Sequence, residues 1–136
     1  MKLARVSVVF AGAMALYLTM TGTASAASGT DAGVPGAWGK IEVDWDTARR
    51  AGIELTVKDT AADGAHAEMR VASRDAQGDT VWYSWRAASG NGVTVGDSTY
   101  ASVSDGLVGL RIQVCRVDKD TIEDCAYSDW VMNPYW

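Results

Sequence analysis

From Ala37 onward the chain alternates with a period of two, and that property decides most of what it can fold into. Ala37, Gly39, Ile41, Val43 and Trp45 share one side of an extended segment, while Trp38, Lys40, Glu42 and Asp44 share the other. Ile53, Leu55 and Val57 alternate with Glu54, Thr56 and Lys58. Ala65, Ala67, Met69 and Val71 alternate with His66, Glu68, Arg70 and Ala72. Successive side chains of a strand point to opposite faces, so each segment predicts a half-buried strand with one wet face. Further strands are expected over 80–86, 98–103, 107–117 and 123–131.

Turn residues separate these runs: Asp63-Gly64, Gln77-Gly78-Asp79, Ser89-Gly90-Asn91-Gly92, Gly96-Asp97 and Asp105-Gly106. The stretch 46–52 reads either as one helical turn capped by Asp46 and closed by Gly52, or as a polar loop. Seven short strands without a long helical period predict an all-β fold, an antiparallel β-sandwich of immunoglobulin-like architecture. Its expected core is Ile41, Val43, Trp45, Ile53, Leu55, Val57, Met69, Val71, Val81, Trp85, Leu110, Ile112 and Val114.

The first residues read as an address. Lys2 and Arg5 precede an uncharged run from Val6 to Met20, and Ala24-Ser25-Ala26 offers a small-residue cleavage site. Charged, apolar and small-residue regions in that order predict a secretory signal peptide over 1–26. The apolar run is short for a bilayer span of ~20 residues, and nothing after it could cross a membrane. Residues 27–36, rich in Gly, Ala and Ser, read as a flexible leader, and 37–136 as the sandwich domain. The expected location is extracellular.

Composition narrows the function. The chain carries 12 basic and 17 acidic groups, a net charge of −5. That balance argues against a nucleic-acid partner, which needs clustered Lys and Arg on the phosphates. The lone His is His66, with Glu68 as its neighbour on a wet strand face. One His and two Cys are too few ligands for zinc, no nucleophile motif is present, and no enzyme activity, metal or cofactor is expected. Asp118, Asp120, Glu123 and Asp124 crowd one turn, which reads as a calcium loop or as a solvated hairpin tip. In an exported chain the pair Cys115 and Cys125 predicts a disulfide across two antiparallel strands.

The Val57-Lys58-Asp59-Thr60-Ala61-Ala62-Asp63-Gly64 turn and the late Cys115 to Cys125 hairpin resemble small secreted β-sandwich proteins common in actinobacteria. The resemblance implies fold and location and brings no catalytic residue. Separately, Tyr83-Ser84-Trp85-Arg86 is similar to the Ser-Trp-Arg-Tyr loop of small secreted α-amylase inhibitors, with Ala87 where that family has Tyr. This similarity implies an inhibitor of an extracellular hydrolase acting through Trp85 and Arg86.

Phe10 is the sole Phe and lies in the expected signal peptide, whereas all six Trp lie beyond it. Trp45 and Trp85 count as inward; Trp38 and Trp82 count as outward. An exposed indole bordered by polar side chains can stack on a sugar ring. Trp38, Trp82, Ser84 and Arg86 are therefore the candidate ligand-binding residues, if their strands share a face. The terminal Trp130–Trp136 run reads as a tail docked over an open end of the core, or as a recognition tail. The expected function is a secreted, non-catalytic binding or interaction module, with a polysaccharide or a secreted protein as partner.

Overall fold

A computed structural model describes residues 27–136, so the signal peptide expected over 1–26 lies outside the described residues. The strands are β1 (Ala27–Val34), β2 (Ala37–Thr47), β3 (Arg50–Asp59), β4 (His66–Asp75), β5 (Thr80–Trp82), β6 (Arg86–Ser89), β7 (Thr94–Ser102), β8 (Leu107–Asp118), β9 (Thr121–Tyr127) and β10 (Val131–Met132). They form two antiparallel sheets. The first has the order β1-β2-β3-β7; in the second β4 and β8 lie at the centre, β5 and β6 flank β4, and β9 and β10 flank β8. The chain changes sheet between β3 and β4, between β6 and β7 and between β7 and β8, as in an immunoglobulin-like sandwich.

The expected strand 80–86 is present as β5 and β6, and 123–131 as β9 and β10, each pair interrupted by three residues. The one unexpected element is β1. Residues 27–34 are not a flexible leader: they pair along their whole length with β2, from Ala27 opposite Asp44 to Val34 opposite Ala37. Pro35 turns the first corner and Gly36, at φ 92°, the second, the pattern of a type II turn. Small residues look unstructured in a sequence, but here they supply a ladder, and Ala32 and Val34 pack on the core. The stretch 46–52 is neither helical turn nor long loop. It continues both strands into a tight hairpin, with Thr47 opposite Arg50.

The core lies between the sheets. Trp45, Ile41, Met69, Leu110 and Ile112 are almost wholly enclosed. Two expected core residues depart: Val81 is 54% exposed, and Trp85 belongs to the outer surface. The cause lies in β-pairing. Trp82 stands opposite Ala72 and Arg86 opposite Met69, so four steps along one strand answer three along the other. One extra residue is accommodated among Tyr83, Ser84 and Trp85, a β-bulge that shifts the alternation by one. Tyr83 turns inward, its hydroxyl donating to Ser73 Oγ at 3.2 Å, and Trp85 turns outward. Val81 stays on the inward row but on a three-residue edge strand that nothing covers.

Cys115 and Cys125 are directly opposed on β8 and β9 and form the disulfide. The C-terminal tail docks: Asn133 is buried and its amide donates to the carbonyls of Thr47 and Leu107 at 2.9 and 2.8 Å. Gly106, at φ 114°, lets the Trp136 ring lie against the backbone.

Candidate functional site

The two sheets leave two wet faces, and the candidate residues are divided between them. Trp38 stands on the outer face of the β1-β2-β3-β7 sheet; Trp82 stands on the outer face of the other. A single platform holding both is therefore absent, because the whole core separates them. Ser84 is exposed in the bulge. Arg86 lies on the inward row at the sheet edge, where its Nε donates to Asp97 at 2.6 Å and its Nη1 to the carbonyls of Ser84 and Trp85. It does not project from the Trp85-Arg86 segment.

Around Trp38, register decides the surroundings. Four rows cross the sheet: Gly33-Trp38-Lys58, Asp31-Lys40-Thr56-Gly96, Gly29-Glu42-Glu54-Ser98 and Asp44-Gly52-Tyr100. The Trp38 indole lies across Gly33, whose place a Cβ could take only at 3.3 Å from the ring, and its Nε1–H donates to Asp31 at 3.2 Å. The ring is half-buried in this position. Next to it, three adjoining depressions of about 280, 340 and 330 Å³ run along the face and share Glu42. Together they make a shallow trough with Trp38 at one end.

Two glycines floor this trough. A Cβ at Gly52 would meet nothing nearer than Asp44 at 3.9 Å, and one at Gly96 nothing nearer than the Leu55 carbonyl oxygen at 3.8 Å. Neither has the left-handed backbone that favours glycine. Glycine inside a strand weakens it, and it commonly marks a place that a ligand or a second backbone approaches. Packing and backbone both leave these two glycines unexplained. The walls are polar: Lys40 Nζ donates to Glu42 at 3.0 Å, and Ser98 Oγ donates to Glu54 at 2.7 Å. Held in this way, both carboxylates keep free lone pairs to accept hydroxyl hydrogens.

The opposite face is built differently. Because the bulge puts Trp82 and Trp85 on the same side, Arg70 of β4 stacks on both, 4.2 and 4.5 Å from their ring centroids. Its Nε donates to Gln113 at 2.8 Å, and Gln113 in turn donates to the Tyr127 hydroxyl at 3.1 Å. Arg111 stacks on Tyr127 at 4.4 Å and Trp130 at 5.0 Å, and Arg74 lies 5.3 Å from Trp130. Guanidinium and ring thus alternate across the sheet. Each such contact stabilises by about 0.5–1 kcal/mol when exposed.

The sequence pattern does not single out Arg70, Arg74, Arg111, Tyr127 or Trp130, although one signal was present. Arg70 and Arg74 fall on the wet row of β4, and Arg111 on that of β8, in a chain that is otherwise acidic. Elsewhere on this face His66 Nε2 and Glu68 lie 3.2 Å apart. In the acidic hairpin Glu123 is paired with Arg116. Among the described residues, no three His, Cys, Asp or Glu side chains converge as a metal site. In comparisons with known proteins, no family model, no curated protein and no solved structure matches the chain.

Proposed function

We propose that this chain is a secreted, non-catalytic binding module that takes a polysaccharide along the trough beside Trp38. The observation that carries the reading is the glycine floor, Gly52 and Gly96, which opens the sheet surface where neither backbone nor packing asks for it. Sugars present C–H faces and hydroxyl edges. The flat, half-buried indole of Trp38, which lines the trough, suits the first, and Lys40, Glu42, Glu54 and Ser98 suit the second. The leader pattern of residues 1–26 and the Cys115–Cys125 disulfide are compatible with an extracellular setting.

Sedimentation with insoluble neutral polysaccharides (cellulose, chitin, a β-1,3-glucan) tests the reading. Wild-type protein is expected to co-sediment with at least one of them. Trp38→Ala removes the stacking face, and Gly52→Val fills the floor with a residue that strands favour. Both variants are expected to stay in the supernatant, Gly52→Val with an unchanged or raised melting temperature. Binding that survives Gly52→Val, or wild-type protein that sediments with none of the polymers, overturns the proposal.

A further inference from the structure

The three guanidiniums on the outer face of the β4-β8 sheet have no carboxylate. Among the described residues Arg50, Arg86 and Arg116 each pair with an acid, whereas Arg70, Arg74 and Arg111 form no ion pair. This is so in a chain with 17 acidic groups. Of the two carboxylates on β4, Glu68 is engaged by His66, and Asp75, beside Arg74, accepts the backbone N–H groups of Gln77 and Asp79 instead. Arg111 also has its Nε–H enclosed without any acceptor.

Their spacing is regular. Arg111 stands opposite Ala72, midway between Arg70 and Arg74 on the neighbouring strand. From strand rise and strand separation, each step of this zigzag is about 8 Å at the backbone. That is about one Debye length at physiological salt, so the three charges are only partly screened and repel one another unless something negative lies over them. The aromatic rings between them hold the guanidiniums flat and in place, which fixes the donors before any ligand arrives.

We infer that this face is a second binding surface, separate from the Trp38 trough, for an acidic polysaccharide that carries carboxylates along its chain. Charge complementarity is the ground for that occupant. A guanidinium fork matches a carboxylate in two parallel hydrogen bonds, and a run of three takes successive charges of a polymer. Single-stranded nucleic acid fits less well, because its bases need open ring faces. Here Trp82, Trp85, Tyr127 and Trp130 already carry a guanidinium on a ring face.

Affinity electrophoresis of the full chain in native gels cast with polygalacturonate, with neutral dextran or with oligo(dT) tests this. Polygalacturonate is expected to retard the protein, dextran not, oligo(dT) weakly or not, and 0.3 M NaCl is expected to abolish the retardation. Arg74 is exposed, so Arg74→Gln leaves folding intact and is expected to weaken binding about tenfold. Arg111→Lys keeps the charge but loses the planar fork, and is expected to weaken binding by a similar factor. Trp38→Ala and Gly52→Val are expected to bind polygalacturonate like wild type, which separates this surface from the trough. No retardation by polygalacturonate, undiminished retardation of both arginine variants, loss of binding in Trp38→Ala, or equal retardation by oligo(dT) overturns the inference.

Discussion

Arg86 on β6 and Asp97 on β7 meet with Nε to Oδ2 at 2.6 Å and join the two sheets along one open side of the sandwich. The Arg86 hydrogen bond, reinforced by the Ser98 backbone N–H, holds the Asp97 carboxyl below its ordinary value of 3.8. Arg116 does the same for Asp63. A group whose folded pKa is depressed contributes stability in full above its unfolded value, and loses it as pH falls through the folded one.

The melting temperature is therefore expected to hold from neutral pH down to about pH 5 and to fall below about pH 4, where unfolded carboxylates begin to take protons. Asp97→Asn removes one of the two contributions. It is expected to lower the melting temperature slightly at pH 7 and to make the acid-side fall shallower. A melt-versus-pH curve parallel to wild type in the Asp63→Asn, Asp97→Asn double variant contradicts this account.

The bulge makes a second prediction, about Ser84. Between Trp82, opposite Ala72, and Arg86, opposite Met69, the edge carries one residue more than β4 needs. Deleting Ser84 restores an unbroken ladder in which Tyr83 still faces the core and Trp85 still faces Arg70. The deletion variant is expected to fold with stability within about 1 kcal/mol of wild type, since no buried contact is lost. Tyr83→Ala, by contrast, removes an inward ring and is expected to cost ~3 kcal/mol or more. Urea denaturation of the two variants compares them. A Ser84 deletion that unfolds as readily as Tyr83→Ala would show that the alternation is not carried through in this way.

That bulge also explains what could and could not be read from the residues. Strands whose neighbours are long and regular, such as β2, β3, β4 and β8, announce themselves by alternation. On β2 and β3 the inward residues are the buried ones, while at the centre of the other sheet Ala72, Gln113, Cys115 and Val117 of the outward row are buried as well. A bulge costs one residue and leaves no composition signal, so counting by twos from Val81 sends Trp85 inward when it stands outside. Trp38 and Trp82 were legible as outward residues. Which sheet each belonged to depends on strand order, which periodicity does not carry. The glycine floor is equally silent in sequence, because Gly52 and Gly96 resemble turn glycines until their backbone angles and neighbours are known.

The last prediction concerns β1. Its inward row lies along β2, and the Ser28 hydroxyl accepts the Trp45 Nε1–H at 2.8 Å. Trp45 is 1% exposed, so that indole N–H has no water to turn to if Ser28 is removed. A buried donor left without a partner costs about 1–3 kcal/mol, and Ser28→Ala is expected to destabilise by that amount. Trp45→Phe removes the donor together with its need, but leaves a smaller ring in a fully packed site, and is expected to cost about as much. A chain beginning at Ala37 loses the whole β1 ladder. It bares the backbone of β2 as a long, flat edge, open to pairing with another chain. It is expected to melt earlier than wild type and to aggregate on heating, as read by light scattering during a thermal ramp. If that shortened chain melts at the wild-type temperature and stays clear, β1 contributes nothing to the sandwich, and 37–136 is the folding unit by itself.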